Sequence, residues 1–149
     1  MRSRVDLAVT DRFQRLTLTV EVKKKFGATE KWAVETRINL IVHGFYPVTP
    51  YFLLVTPEKF FLWTKENNIL EETLPTYIAD AQEQLKPYLD ELGFNLDKID
   101  GYTFEQVVAL WLKYDVLYPT KNIKKAKWVV DSGLAEKILH GNLLLEAVV

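Results

Sequence analysis

The sequence predicts a mixed α/β domain, and three observations support this fold class. Two apolar runs that alternate with period two open the chain, a capped helix follows them, and two nearly continuous apolar runs come next. A length of 149 residues with 48% hydrophobic composition suits one domain. We therefore expect a mixed β-sheet with flanking helices, with a core over about 1–65 and a mainly helical C-terminal extension over about 73–149.

The first two elements are predicted to be strands joined as a hairpin. Residues 4–9 and 16–23 each place their apolar side chains on one face, because successive strand residues point to opposite sides. The stretch 11–15 between them is short and polar, as in a hairpin connection. We therefore predict that the two strands form an antiparallel pair with one apolar face.

The register of this hairpin decides which polar residues meet. Any register that aligns the two apolar faces puts Asp6 and Glu21 on the opposite face, and one such register, with Val9 opposite Leu18, places Asp6 directly across from Glu21. Lys23 then shares the polar face with both carboxylates.

The next three elements are predicted to be a helix and two buried strands. Thr29 is a suitable N-cap for a helix over about 30–43, which Gly44 would end. The apolar runs 51–55 and 60–63 are typical of strands that are covered on both faces.

The second half is predicted to be mainly helical. A helix over about 76–92 should be kinked or split by Pro87. A capping-box pattern predicts another helix over 103–117. Ser132 is a candidate cap for a short helix, and the apolar residues of 143–149 predict a final strand.

Composition excludes several classes of function. The chain has no cysteine, which rules out disulfides, thiolate zinc sites and thiol nucleophiles. A formal net charge of −1 does not fit a generally basic nucleic-acid binder. No apolar stretch is long enough to span a bilayer, so we expect a soluble, cytoplasmic protein without membrane partners.

The carboxylates on the polar face suggest metal chemistry. Two carboxylates a few ångströms apart repel each other, and one takes up a proton unless a cation compensates. Asp6, Glu21 and the carbonyl of Val22 offer the hard oxygens that suit Mg²⁺ or Mn²⁺. Lys23 would hold the attacking water or offset negative charge in the transition state.

These residues resemble a known signature. Asp6, followed in the second strand by the triplet Glu21, Val22 and Lys23, is similar to the D…E-x-K pattern of restriction-endonuclease-like (PD-(D/E)xK) nucleases. The resemblance covers residues 4–55 and implies a restriction-endonuclease-like core. It also implies that Asp6 and Glu21 are metal ligands and that Lys23 is the catalytic lysine.

The sequence departs from the family pattern at two points. Val5 stands where the family usually has a proline before the aspartate. The family core also has a helix and a strand ahead of the aspartate strand, whereas Asp6 is near the N-terminus here. A truncated start, a C-terminal strand in the missing place and an inactive site are the three alternatives.

Two further basic residues are candidate phosphate ligands. Lys25 extends the basic end of the second strand, and Arg37 is the strong cation of an otherwise apolar helix. The alternatives are ordinary solvated charge for Lys25 and pairing of Arg37 with Glu30 or another acid. Asp6, Glu21 and Lys23 also have a plainer interpretation, a solvated ion cluster worth about 0–1 kcal/mol per pair.

Two functions from different classes follow. The first is metal-dependent hydrolysis of DNA phosphodiester bonds, with Mg²⁺ or Mn²⁺ as cofactor. The second is a non-catalytic oligomerisation or adaptor protein on a degenerate nuclease-like scaffold. In the second case the apolar surface of 102–118 and of the C-terminal tail would serve a partner. We also expect a homo-oligomer, for example a homodimer.

Overall fold

A six-stranded mixed sheet is the centre of the fold in the computed structural model, which describes residues 4–64, 73–120 and 125–149. The strands lie in the order β5-β4-β3-β2-β1-β6. The elements are β1 (Leu7–Thr10), β2 (Leu16–Val22), α1 (Glu30–Val42), β3 (Tyr51–Val55), β4 (Lys59–Trp63), β5 (Tyr77–Asp80), α2 (Gln82–Leu92), α3 (Gly101–Trp111), a π-helical turn (Leu112–Leu117), α4 (Lys127–Asp131), α5 (Leu134–Ile138) and β6 (Asn142–Leu145). The predicted α/β class with a mixed sheet is confirmed.

The β1–β2 hairpin has the predicted register. Val9 pairs with Leu18 and Leu7 pairs with Val20 in an antiparallel ladder. The ladder ends at Leu7, so Asp6 and Glu21 occupy the next opposed positions, where the two strands begin to separate. This geometry brings the two carboxylates to one end of the hairpin.

Helix α1 connects β2 to β3, which lies parallel to β2 with Glu21 beside Leu54. The Thr29 side chain accepts a hydrogen bond from the Trp32 backbone N–H at 3.1 Å, as an N-cap should. A parallel pair requires such a crossover, and the helix then packs on one face of the sheet. Ala33 and Val34 of α1 join the core cluster on the face that carries Glu21.

The opposite face is covered by the helices of the second half of the chain. This larger cluster contains Leu18 and Val20 from β2 together with Phe104 and Trp111 from α3. The Trp111 ring lies 4.6 Å, centroid to centroid, from the ring of Phe60. The sheet is therefore buried on both faces, as the continuous apolar runs predicted.

The prediction for residues 76–92 is wrong at its start. Residues Tyr77–Asp80 form β5, because they pair antiparallel with the outer edge of β4. Tertiary pairing here overrides the local helical pattern. Helix α2 begins only at Gln82 and runs to Leu92 as one helix that includes Pro87, so the predicted split does not occur.

Two predicted caps also differ. Asp100, not Thr103, is the N-cap of α3, and its side chain accepts from the Thr103 N–H at 2.7 Å. Ser132 precedes the N-cap Gly133 of α5, although its hydroxyl still accepts from the Leu134 N–H at 3.3 Å. The local sequence pattern therefore predicted both helices correctly but gave the wrong first residue for each.

The C-terminal half is not only a helical extension. It supplies both edge strands, since β5 pairs with β4 and β6 pairs antiparallel with β1. The predicted C-terminal strand is confirmed over Asn142–Leu145.

Candidate metal centre

Asp6 lies just before β1, and three hydrogen bonds, each to a different segment of the chain, fix its backbone and side chain. Its carboxylate Oδ2 accepts from the Val22 backbone N–H at 2.8 Å. Its own N–H donates to the Tyr46 hydroxyl at 3.0 Å, and its carbonyl accepts from the Glu146 N–H at 2.7 Å. These contacts hold the carboxylate between the ends of β1 and β2.

Glu21 lies on the α1 side of β2 and is only 6% exposed. Its carboxyl group is hydrogen-bonded to that of Asp6. Burial first, and then the hydrogen bond and negative charge of Asp6, raise the pKa of Glu21 to about 8. At neutral pH the Glu21 carboxyl is therefore mainly protonated. A solvated ion cluster is excluded as the description of this site.

Tyr46 completes the inner wall of the site. Its hydroxyl accepts from the Asp6 N–H and donates to the Val20 carbonyl at 3.1 Å, and it also contacts the Glu21 carboxylate. Burial, followed by the charges of Glu21 and Asp6, raises the pKa of Tyr46. Tyr46 is thus a neutral phenol that positions both carboxylates.

Lys23 lies at the open side of the pair. Its Nζ is 3.9 Å from Glu21 Oε1, and its side chain is 48% exposed while that of Glu21 is 8% exposed. The Lys23 N–H donates to the Val55 carbonyl at 2.9 Å, so strand β3 fixes the backbone from which the side chain extends. The predicted grouping of Asp6, Glu21 and Lys23 is observed.

Two of the donors present, the carboxylates of Asp6 and Glu21, are of the kind that a divalent cation prefers. Two carboxylates in contact need either a proton or a cation between them, and carboxylate oxygens are the ligands that Mg²⁺ and Mn²⁺ prefer. The Val22 N–H donates to Asp6, so the carbonyl of Val22 points to the same side of the strand. No set of three or more Asp, Glu, His or Cys residues suited to a metal occurs in the described part of the chain. Backbone oxygen and water would therefore have to complete the coordination.

Arg37 does not join this site. It is 2% exposed between α1 and the sheet, and its guanidinium carbon lies 5.4 Å from the ring centroid of Trp63. Burial lowers the pKa of Arg37. An interior guanidinium is not accessible to a phosphate outside the protein, so this placement does not support the predicted phosphate contact.

Lys25 remains accessible. It is exposed in the connection between β2 and α1, and its Nζ lies 5.5 Å from the ring centroid of Trp32. A lysine over the ring of a half-buried indole at the surface keeps its charge in solvent. Its predicted role in phosphate binding stays a prediction.

Sequence reasoning missed one acid near the site. Glu105 of α3 is 9% exposed, and its Oε1 has no hydrogen-bond partner among the described residues. Burial first, then the charges of Asp6 and Glu146, raise the pKa of Glu105 to about 7. The sequence does indicate that Glu105 is buried, because it lies three and seven residues before the buried Val108 and Leu112, on the same face of the helix.

Tyr46 was missed as well, and no local signal identifies it. It follows the end of α1 in an irregular connection, where a tyrosine has many possible roles. Only the chain path between α1 and β3 brings its hydroxyl to the Asp6–Glu21 pair.

Comparisons of the chain with protein-family models, with curated proteins and with solved structures returned no match. Among the helices of the described ranges, none combines the length and the apolar character that crossing a membrane requires.

Proposed function

We propose that this protein is a metal-dependent nuclease that hydrolyses DNA phosphodiester bonds. One observation carries the proposal: two carboxylates, Asp6 and Glu21, meet in a hydrogen-bonded pair with the ammonium group of Lys23 beside them. Without a cation, the buried Glu21 carboxyl can lie against Asp6 only by taking up a proton, so the pairing alone gives the protein little stability and needs another explanation. Binding of a divalent cation supplies one.

In this proposal each residue has a separate role. Asp6, Glu21 and the Val22 carbonyl hold Mg²⁺ or Mn²⁺, and Tyr46 keeps both carboxylates in place. The bound cation would polarise the scissile phosphodiester and lower the pKa of a water ligand. Lys23 positions the attacking water, or neutralises charge that develops on the phosphate.

The charge around the site is compatible with an approaching phosphate backbone. Lys23, Lys24 and Lys25 are exposed in sequence at the end of β2, on the same end of the strand as the carboxylate pair. Such a cluster attracts phosphates irrespective of base sequence. Lys25 is the proposed phosphate contact, and Arg37 is left out because it is buried.

The test is a nicking assay on supercoiled DNA with Mg²⁺ or Mn²⁺. We expect cleavage by the wild-type protein, and loss of cleavage in Asp6→Asn and in Glu21→Gln. The matched control is Glu35→Gln, which changes an exposed carboxylate on the outer side of α1. Equal nicking by all four proteins would show that the activity comes from elsewhere, and no nicking by the wild type would contradict the proposal.

The alternative, a non-catalytic adaptor on the same scaffold, is favoured by one observation. The described part of the chain offers no third acidic or imidazole ligand next to Asp6 and Glu21. In that case the pair would hold a proton permanently. The wild-type protein would then bind neither metal ion, and Glu21→Gln would change stability without changing any metal response.

A further inference from the structure

Strand β6 is an open edge of the sheet. Asn142–Leu145 pair with β1 on one side, and no described strand lies on the other side. Its sequence, Asn-Leu-Leu-Leu, contains neither a charged residue nor a proline. Natural sheets usually protect an edge with one of these, because unpaired backbone groups recruit another strand.

The unpaired backbone groups can be assigned to particular residues. The Glu146 N–H donates to the Asp6 carbonyl at 2.7 Å, so position 146 faces β1. Backbone direction alternates along a strand, which means that Asn142 and Leu144 also face β1. The N–H and C=O groups of Leu143 and Leu145 therefore point away from the sheet.

An apolar groove adjoins this edge. It has a volume of about 600 Å³, and its lining includes Leu92, Leu110, Tyr118 and Leu145. Three of these are large side chains with much of their surface in solvent: Leu92 and Tyr118 are each 45% exposed and Leu145 is 51% exposed. Apolar side chains concentrated beside an unpaired edge are typical of a protein interface.

We propose that β6 pairs antiparallel with β6 of a second copy of this chain. The backbone N–H and C=O groups of Leu143 and Leu145 point outward. Leu143 of one copy would therefore lie opposite Leu145 of the other copy, and Leu145 of the first opposite Leu143 of the second. The two Leu144 residues would then face each other on the two-fold axis. The two sheets become one continuous sheet across the interface.

The features of this edge favour a second copy of the chain as the binding partner. Two identical antiparallel strands are self-complementary, so each outward N–H meets a carbonyl without any other sequence being required. The side chains of Leu143 and Leu145 lie on the α3 side, since they pair with Val9 and Leu7. The partner's Leu145 would consequently enter the groove beside Leu110, and the grooves of both copies would be covered together.

The opposite edge of the sheet does not offer the same surface. Strand β5 ends in Asp80 and pairs with the exposed Lys59 of β4, so charge lies at that edge. The groove there is lined by Glu58, Lys59, Asp80 and Gln82 among others. Polar and charged residues of this kind oppose edge-to-edge association.

Cross-linking tests the register directly. The chain has no cysteine, so Leu144→Cys introduces a single thiol into a side chain that is 38% exposed. Residues opposed on the axis of such a pair lie about 4.5 Å apart between Cα atoms, which suits a disulfide. We expect mild oxidation to convert Leu144→Cys into a covalent dimer. The control Ile78→Cys, on the β5 edge and 41% exposed, should remain largely a monomer.

Sedimentation of the unoxidised full chain gives the second test. The wild type should sediment with the mass of a dimer at high micromolar concentration. Leu145→Pro should sediment as a monomer, because proline removes an N–H that faces outward and leaves the pairing with β1 intact. Leu145→Lys should also be monomeric and keeps the backbone donor, so the two variants together separate interface loss from misfolding, with circular dichroism confirming the fold. A monomeric wild type, a dimer that survives both substitutions, or equal cross-linking at positions 78 and 144 would overturn the proposal.

Discussion

The carboxyl groups of Asp6 and Glu21 are hydrogen-bonded to each other at the end of the β1–β2 ladder, inside a fold that shields Glu21 from solvent. Two acidic side chains in this relation share one negative charge at neutral pH unless a cation replaces the proton. This property connects the stability of the protein with its proposed activity.

The first prediction concerns the pH dependence of stability at Glu21. Its pKa in the folded protein is raised from 4.5 to about 8. Protonated Glu21 contributes its full stabilisation at a pH below its pKa in the unfolded protein. This contribution is lost as the pH rises through its pKa in the folded protein. Glutamine does not titrate, so the melting temperature of Glu21→Gln relative to wild type should increase as the pH rises from about 4.5 to about 8. A difference that is constant with pH in metal-free buffer would contradict this.

The second prediction concerns Tyr46. Tyr46→Phe removes the hydroxyl that accepts from the Asp6 N–H and donates to the Val20 carbonyl. Buried groups left without partners cost about 1–3 kcal/mol, so the free energy of unfolding in urea should fall by that amount. Tyr102→Phe, at a side chain 62% exposed, is the control and should change it by less than about 0.5 kcal/mol. Equal effects of the two substitutions would show that the Tyr46 hydroxyl does not support the site.

The third prediction concerns Glu105, whose pKa is raised to about 7 by burial and by the charges of Asp6 and Glu146. Stability depends on pH in the same direction as for Glu21, but the pH range of the change ends at a lower pH. Glu105→Gln should become more stable relative to wild type as the pH rises from about 4.5 to about 7, and the gain should level off above that range. Thermal melts across this range measure it. Glu136→Gln, at an exposed position of α5, should show no such trend.

The fourth prediction separates Lys23 from the metal ligands. Lys23→Met keeps the length of the side chain and removes its charge, so nicking should fall by about 100-fold or more. Binding of Mn²⁺ should persist, because the carboxylate pair remains. Lys25→Met removes a proposed phosphate contact and should weaken DNA binding at low salt with a much smaller loss of cleavage rate. Similar cleavage by Lys23→Met and wild type would remove Lys23 from the mechanism.

The site could be predicted from the sequence to the extent that it depends on strand periodicity. The alternation of apolar residues placed Asp6 and Glu21 on one face of the hairpin, and one of the registers that it allows, the observed one, sets them across from each other. Tyr46 and Glu105 could not be predicted in the same way. Their positions depend on how the connection after α1 and helix α3 pack against the hairpin, which no local pattern encodes.

The fold shows the same division. The capped helix α1 and the apolar runs of β3 and β4 were predicted because local preference and tertiary environment agree there. Strand β5 was predicted as the start of a helix, since its pairing with β4 is a long-range contact. Arg37 was predicted to contact phosphate or to pair with Glu30 or another acid, because the sequence did not show that its side of α1 would face Trp63.

The most direct test of the central claim, that Asp6 and Glu21 together hold one divalent cation, is the shift of the melting temperature on titration with Mn²⁺. We predict that the wild-type protein is stabilised, by about 2.7 kcal/mol when free Mn²⁺ is at 100 times its dissociation constant. Asp6→Asn and Glu21→Gln should each lose this stabilisation, while Glu35→Gln retains it. An absent shift in the wild type, or an unchanged shift in either site variant, would contradict the claim.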